Sequence, residues 1–388
     1  MRAIVLNAEW APRDGAAISE RDQARRWAPN ANLAWRNPSM QLDTVDDPAG
    51  PGPGELIVRI EACGICGSDM HMYETDEAGY MILPYHVACP VVVGHEFAGT
   101  VVAVGEGVAE FSEGSLVTVE EIQYCGGCRA CRGGYPNSCE RIEDIGFTIN
   151  GGFAEYVRVP ARAAWSLDPL LERYGTAEKA LEVGAMSEPV SVTYEGMFTR
   201  GGGFKPGGVV AVFGAGPIGL AGVALAAAAG ASKVICVETV PERRALAERL
   251  GATDLVDPTT VDPVDAIREI SRGQGLAMAV EASGSWGHVM PVIDRSLGVG
   301  GKAVIVGMDP RSPTLELIGY QLKAASVHGS VGHAGGWNFP NVINLMASGR
   351  IQMEHAVTRR SNLAGMVDAV RSMRDRTDGK ILVKPGLA

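Results

Sequence analysis

Apolar residues fall along this chain in two textures, and the change between them lies near residue 207. Before it, short runs of β-type composition at 2–7, 55–62, 97–104, 115–120 and 154–159 stand between Gly-rich breaks. Runs of that kind predict strands in an irregular, β-rich domain. After it, strongly apolar runs at 209–213, 233–237, 277–281 and 303–306 alternate with helical stretches at 217–229 and 241–250. Apolar strands separated by helices predict a parallel sheet covered on both faces, the doubly wound α/β class. A further helical stretch at 338–347 opens a tail that is expected to return to the first domain. Between residues 11 and 53 a polar segment with several Trp and Arg reads as an insertion after the first strand.

Length agrees with two domains, since 388 residues exceed one ordinary core and suffice for two. The net charge of -11 opposes binding to phosphate backbones, so a small-molecule partner is expected and a nucleic acid is not. Residues 206–232 carry no charge and are long enough to span a bilayer. Their Gly and Pro punctuation and strand-like start fit a buried strand-turn-helix instead, and no membrane partner is expected. The N-terminus lacks a secretory apolar core and cleavage site, which points to the cytoplasm. Of the eight cysteines, most crowd into residues 63–139, and in a reducing compartment such crowding suggests metal binding before disulfides.

The apolar run at 209–213 leads directly into Gly214-Ala215-Gly216-Pro217-Ile218-Gly219, a G-x-G-x-x-G between a strand and a helix. Its first Gly permits the turn, its second lets backbone approach a pyrophosphate, and its third lets helix and strand pack closely. A Gly-rich turn without a ligand is the alternative for such a motif alone. Here the next strand ends in Glu238, nineteen residues after Gly219, where an acid grips the ribose hydroxyls. An acid there repels the extra phosphate of NADP, so NAD is the expected cofactor, with Arg243 flanking adenine or allowing some NADP. Glu281-Ala282-Ser283-Gly284 and Val306-Gly307-Met308 end later strands of that sheet, so Ser283 and Val306 are candidates to flank the nicotinamide.

Two sets of metal-ligand residues differ in character. Cys125, Cys128, Cys131 and Cys139 place four thiols within fifteen residues, enough to close a tetrahedral structural zinc shell. An iron–sulfur cluster or four unmetallated thiols are the alternatives. The second set is dispersed: Cys63 and Cys66 in C-G-I-C-G-S-D-M-H, His95 and Glu96 in G-H-E, and Glu188 before Pro189. Each alone reads equally as a core thiol, a hydrogen-bonded histidine or a helix-start acid. Beside a dinucleotide motif and a four-Cys lobe, they form a mixed S/N/O set able to hold a catalytic zinc with room for a substrate oxygen.

On these motifs the chain resembles the zinc-containing medium-chain alcohol and polyol dehydrogenases, over nearly all of its length beyond about residue 53. The resemblance implies a GroES-like catalytic domain at 1–188 with a zinc lobe at 121–142. It further implies a Rossmann NAD-binding domain at 189–336, and a segment 337–388 returning to the first. Carried over by motif, Cys66, His95 and Glu96 surround the catalytic zinc, and Cys63 is a bystander. Glu188-Pro189 stands where sorbitol and butanediol dehydrogenases also have Glu-Pro, so Glu96 or Glu188 enters or leaves the zinc shell. The substrate proton leaves through Ser68, the cofactor ribose and His71, while Asp69 orients a ligand.

Within the family, Ala8-Glu9-Trp10, residues 75–80, Gly146-Phe147 and residues 345–349 resemble the scyllo-inosose 3-dehydrogenase branch of inositol catabolism. The resemblance thus implies NAD-linked oxidation of a secondary alcohol of a polyol or cyclitol, by a homodimer or homotetramer. An acyclic diol, sorbitol or threonine dehydrogenase is the alternative, and a non-enzymatic cofactor-binding protein on the same fold is the alternative of another class. Tyr73, Glu74, Tyr124, Phe147, His333 and Trp337 are candidates to line the substrate cleft.

Overall fold

The computed structural model describes residues 1–309 and 312–387, which divide into two compact units. The first holds Met1–Glu188, Arg359–Asp375 and Ile381 onward; the second holds Pro189–Thr358 and Arg376–Lys380. The helix Asn338–Ala347 therefore belongs to the second unit, and the return to the first begins at Arg359 rather than at residue 337.

In the first unit the strand Glu55–Gly64 is the hub. It pairs antiparallel with Glu96–Val104 on one side, and with Tyr156–Pro160 and Lys380–Val383 on the other. Leu116–Val119 and Ala164–Ser166 extend the sheet beyond Glu96–Val104. Alternate residues of the hub strand, Leu56, Val58 and Ile60, are buried with Phe97, Val101, Val117, Val157 and Val159 in one core. That two-residue period is what half-buried strands require.

The insertion forms structure of its own. Its strand Trp35–Thr44 pairs antiparallel with Arg2–Trp10, lengthening the first strand beyond the expected residue 7. Trp35 is buried, packs edge-on against Trp10 at 5.0 Å, and donates its indole N–H to the Val87 carbonyl at 2.9 Å. A buried indole needs such an acceptor, so the contact locks the insertion onto the core.

The second unit carries a six-stranded parallel sheet in the order Asp254–Val256, Lys233–Val237, Val209–Phe213, Leu276–Glu281, Leu297–Ile305, Ser326–Gly329. Numbered along the chain this is 3-2-1-4-5-6, the doubly wound dinucleotide-binding order. The uncharged stretch at 206–232 resolves into the buried strand Val209–Phe213 and the helix Pro217–Ala228. Among the described residues no helix is long and apolar enough to cross a membrane.

The C-terminal return is clamped by charge. Arg360 donates twice to the buried Glu182 carboxylate, at 2.6 Å each, and Lys384 Nζ adds a third contact at 3.0 Å. Although burial works against the charged form, Arg360 and Lys384 pull the Glu182 carboxyl from 4.5 down to about 2. A depressed carboxyl pKa stabilises the fold above its unfolded value, and the gain disappears as pH falls through the folded value. Glu182→Gln should therefore cost about 1–2 kcal/mol at neutral pH after allowance for solvent screening. Thermal unfolding measured from pH 7 downward should show the difference from wild type shrinking between 4.5 and about 2; a difference that ignores pH would contradict the clamp.

Candidate active site

The glycine loop has the geometry its spacing predicts. Gly214 has φ +93°, in the left-handed region, and a side chain there would meet Ser283 at 2.9 Å. A Cβ on Gly219 would overlap the Gly214 carbonyl, so helix and loop meet there only because residue 219 is glycine. Gly216 caps Pro217–Ala228 with extended backbone, and Ile218 lies in that helix's first turn. The buried Glu238 carboxylate accepts from the backbone of Ala215 at 2.7 Å, and from Thr239 and Val240 at 2.7 and 3.0 Å. An acid from the second strand thereby braces the loop. Arg243 is anchored by donating to the Asp378 carbonyl at 3.0 Å, and burial lowers its pKa against the charge of Glu238. On the neighbouring strand ends, Ser283 Oγ donates to Glu281 at 2.6 Å and the Val306 N–H to the Glu281 carbonyl at 3.0 Å. The loop thus carries the strand Val209–Phe213 directly into the N-terminus of the helix Pro217–Ala228, an arrangement suited to a dinucleotide's phosphates.

In the lobe, Cys128 Sγ lies 3.4 Å from Cys131 and 3.9 Å from Cys139, and Cys125 lies 4.0 Å from Cys131. Four sulfurs at Zn–S bonds of about 2.3 Å would stand roughly 3.8 Å apart, so the donor set fits the ion. Backbone N–H groups of Gly127 and Cys128 draw the Cys125 thiol down to about 6, toward the thiolate a metal needs. All eight cysteines are free.

Three residues of the dispersed set converge in the first unit. Cys66 Sγ, a His95 ring nitrogen and a Glu96 carboxylate oxygen lie within 4.8 Å of one another. Cys66 ends the loop after the hub strand and caps the helix Gly67–Tyr73; its N–H donates to the buried Asp69 carboxylate at 2.8 Å, which fixes the thiol's backbone. Cross-strand pairing of Gly64 with Glu96 brings the acid to the same place, and its carboxylate occupies the space a Cβ at residue 64 would fill. His95 and Glu96 are both buried, and His95 Nδ1 has no hydrogen-bond partner. Although burial disfavours its charged form, Cys66, Asp69 and Glu188 hold the His95 pKa well above 6.5. A buried histidine beside a thiol and a carboxylate is an environment suited to a cation, and the donor set fits zinc.

Around this group, Ser68 Oγ is buried without a partner, three residues before His71 on the same helix. Burial lowers the His71 pKa below 6.5, with Glu74 acting the other way. Cys63 is buried in the core cluster, as a bystander would be. Glu188 is not among the three grouped ligands; its carboxylate lies within 4.8 Å of that of Glu121, both buried. Sequence reasoning missed Glu121, whose only signal is an acid pair, Glu120-Glu121, directly after the apolar run at 116–119.

Of the cleft candidates, Phe147 packs against His95 at 4.6 Å between ring centroids. Tyr73 and Glu74, with Asn37, Pro38 and Arg374, line a cavity of about 580 Å³. Tyr124 has Arg162 over its ring, His333 is buried against Phe339, and Trp337 is exposed.

Comparison with known proteins bears on the whole chain. Residues 52–169 match the alcohol dehydrogenase GroES-like domain and residues 217–348 the zinc-binding dehydrogenase domain. A scyllo-inosose 3-dehydrogenase of Thermotoga maritima is 39% identical over 99% of this chain and 98% of its own. The chain belongs to the zinc-binding alcohol dehydrogenase family. This dehydrogenase is also 32% identical to L-threonine 3-dehydrogenase of Thermococcus kodakarensis, over 89% of this chain and 94% of the relative. Its fold matches the solved 2R,3R-butanediol dehydrogenase of Bacillus subtilis with TM-score 0.78 and 29% identity, covering 99% and 100% of the two chains.

Because Gly219 must lack a side chain, Gly219→Ala should push helix and loop apart. Reduced nicotinamide dinucleotide titrated by fluorescence should bind at least about tenfold more weakly, a loss of roughly 1.4 kcal/mol. Unchanged binding would contradict the role of this packing.

Proposed function

We propose that this dehydrogenase binds NAD and two zinc ions, one structural and one catalytic, and oxidises a secondary alcohol of a polyol or cyclitol to a ketone. The observation that carries the reading is the convergence of Cys66, His95 and Glu96, with a buried, unpartnered Ser68 hydroxyl in the first turn of the helix that Cys66 caps. Sequence identity of 39% to a scyllo-inosose 3-dehydrogenase supports a cyclitol.

Cys125, Cys128, Cys131 and Cys139 would hold the structural ion, and their shell leaves no site for substrate. Cys66 and His95 would hold the catalytic one, with Glu96 as third ligand; Glu188, whose charge acts on His95, would be the alternative to Glu96. When bound, zinc lowers the pKa of an alcohol, and oxidised nicotinamide accepts hydride. The chain's own part is to fix the ligands and carry the proton away. Asp69 keeps the Cys66 backbone in place. Ser68 Oγ takes the substrate proton, and His71, kept neutral by burial, is its outlet.

In the second unit, Gly214, Gly216, Ile218 and Gly219 would receive the pyrophosphate, and Ser283 and Val306 would flank the nicotinamide. Glu238 supports NAD, since its carboxylate would repel a ribose phosphate; Arg243 tempers that preference. A Sinorhizobium meliloti neighbour, 31% identical with TM-score 0.78, was solved with NADP. Cysteines placed to ligate metal and not paired in disulfides support a cytoplasmic setting. An assembly of two or more copies is supported by the open sheet edge Ser326–Gly329 and by Leu317, Ile318 and Leu322, exposed by 62–78% on the helix Leu317–Lys323.

L-threonine oxidation is the second reading, favoured by the threonine dehydrogenase relatives. A panel of inositols, inososes, acyclic diols and L-threonine with NAD, followed by reduced-nicotinamide absorbance, separates the two. Turnover confined to cyclitols is expected; preference for threonine or diols would move the substrate, and silence on the whole panel would favour a non-enzymatic role. Glu238→Ser should raise the NADP-to-NAD ratio of kcat/KM by about tenfold or more, equivalent to at least roughly 1.4 kcal/mol. A wild type already preferring NADP would refute the Glu238 assignment. His71→Ala should lower kcat by about 10–100-fold. In the wild type, oxidation should fall as pH drops through the His71 pKa, below 6.5, where the protonated ring no longer accepts; that acid limb should vanish in the variant.

A further inference from the structure

A polar network that the proposed mechanism does not use lies beside the dispersed ligands, entirely within the first unit. The Tyr85 hydroxyl donates to Asp144 Oδ2 at 2.8 Å, and His86 Nε2 meets the same oxygen at 2.5 Å. His86 and Asp144 are buried, and Asp144 Oδ1 has no hydrogen-bond partner. Trp27, from the insertion, stacks on His86 at 6.1 Å.

Phe147 joins this network to the ligands. Its ring stands edge-on to Tyr85 at 5.5 Å and packs on His95 at 4.6 Å. The Asp144 carbonyl accepts from the N–H groups of Phe147, Thr148 and Ile149, so the residue that holds Tyr85 also shapes the turn carrying Phe147. Tyr85 is half-buried. Burial first, then Asp144, Glu121 and Glu188, raise its pKa well above 10, so the phenol keeps its proton and its role as donor to Asp144.

A structural filler would not need these groups, because buried polar pairs are weak sources of stability compared with apolar packing. A phenol committed as donor to a carboxylate still has lone pairs to accept with. Beside a group that binds one alcohol oxygen, the partner suited to such an acceptor is another hydroxyl of the same substrate.

We propose that Tyr85, held by Asp144 and His86, accepts a hydrogen bond from a hydroxyl next to the carbon being oxidised, and thereby selects polyhydroxylated alcohols. Asp144 and His86 are positioning residues that act through Tyr85. The inference rests on the polyol reading above and deepens it.

The test pairs Tyr85→Phe with the cyclitol the wild type turns over and with analogues lacking one hydroxyl beside the reacting carbon. On one of these deoxy analogues wild-type kcat/KM should fall by about tenfold, as the loss of a hydrogen bond implies. Tyr85→Phe should treat cyclitol and analogue alike, near the wild-type value on the analogue, with the loss in KM rather than kcat. Asp144→Asn should weaken the same discrimination, and both variants should keep the zinc content and thermal midpoint of the wild type. Independent, multiplying losses from the two changes, or no effect of Tyr85→Phe, would overturn the subsite while leaving the polyol reading intact. A wild type that oxidises no polyhydroxylated alcohol would overturn both.

Discussion

The constraint on which this structure depends is electrostatic: a half-buried thiol, a buried imidazole and a buried carboxylate are brought within 4.8 Å of one another in the first unit. Taking anionic donors out of water is costly unless something positive meets them. The surrounding structure gives them no freedom to separate. Cys66 is fixed by Asp69 at the start of a helix, Glu96 by its cross-strand pairing with Gly64, and His95 by adjoining Glu96 and packing against Phe147. Such a group at the end of the hub strand is a donor set suited to a cation.

The second unit solves a different problem with backbone instead of side chains. Gly214 and Gly219 let the turn and the helix start approach closely, and Glu238 reaches from the next strand to brace the loop through the Ala215 N–H. The sheet order 3-2-1-4-5-6 places this loop where the strand order reverses, the position where ligands of such sheets sit.

Much of this was legible in the sequence because it depends on local spacing. The parallel strands at 209–213 and 233–237, the glycine motif and the four-Cys lobe each lie within short stretches whose chemistry declares itself. The short strands Asp254–Val256 and Ser326–Gly329 did not, since they are partly exposed and lack a long apolar run. The insertion was opaque because its meaning is tertiary: Trp35 and Trp27 acquire partners, Val87 and His86, only once the chain folds. Glu121 and Tyr85 were missed for the same reason. Each is an unremarked residue in its own segment, and its neighbours at the site come from distant parts of the chain. The split of the C-terminal tail was likewise invisible, because helix periodicity at 338–347 says nothing about which unit the helix packs on.

The central claim, that buried donors are arranged for a second, catalytic zinc distinct from the lobe, is tested most directly by counting metal. Purified wild type and Cys66→Ser would be stripped of loosely held ions and their zinc per folded chain measured by plasma mass spectrometry. The account predicts about two ions in the wild type and one in the variant, following the two ligand sets. A wild type holding only one, or a Cys66→Ser chain that keeps both, would contradict it.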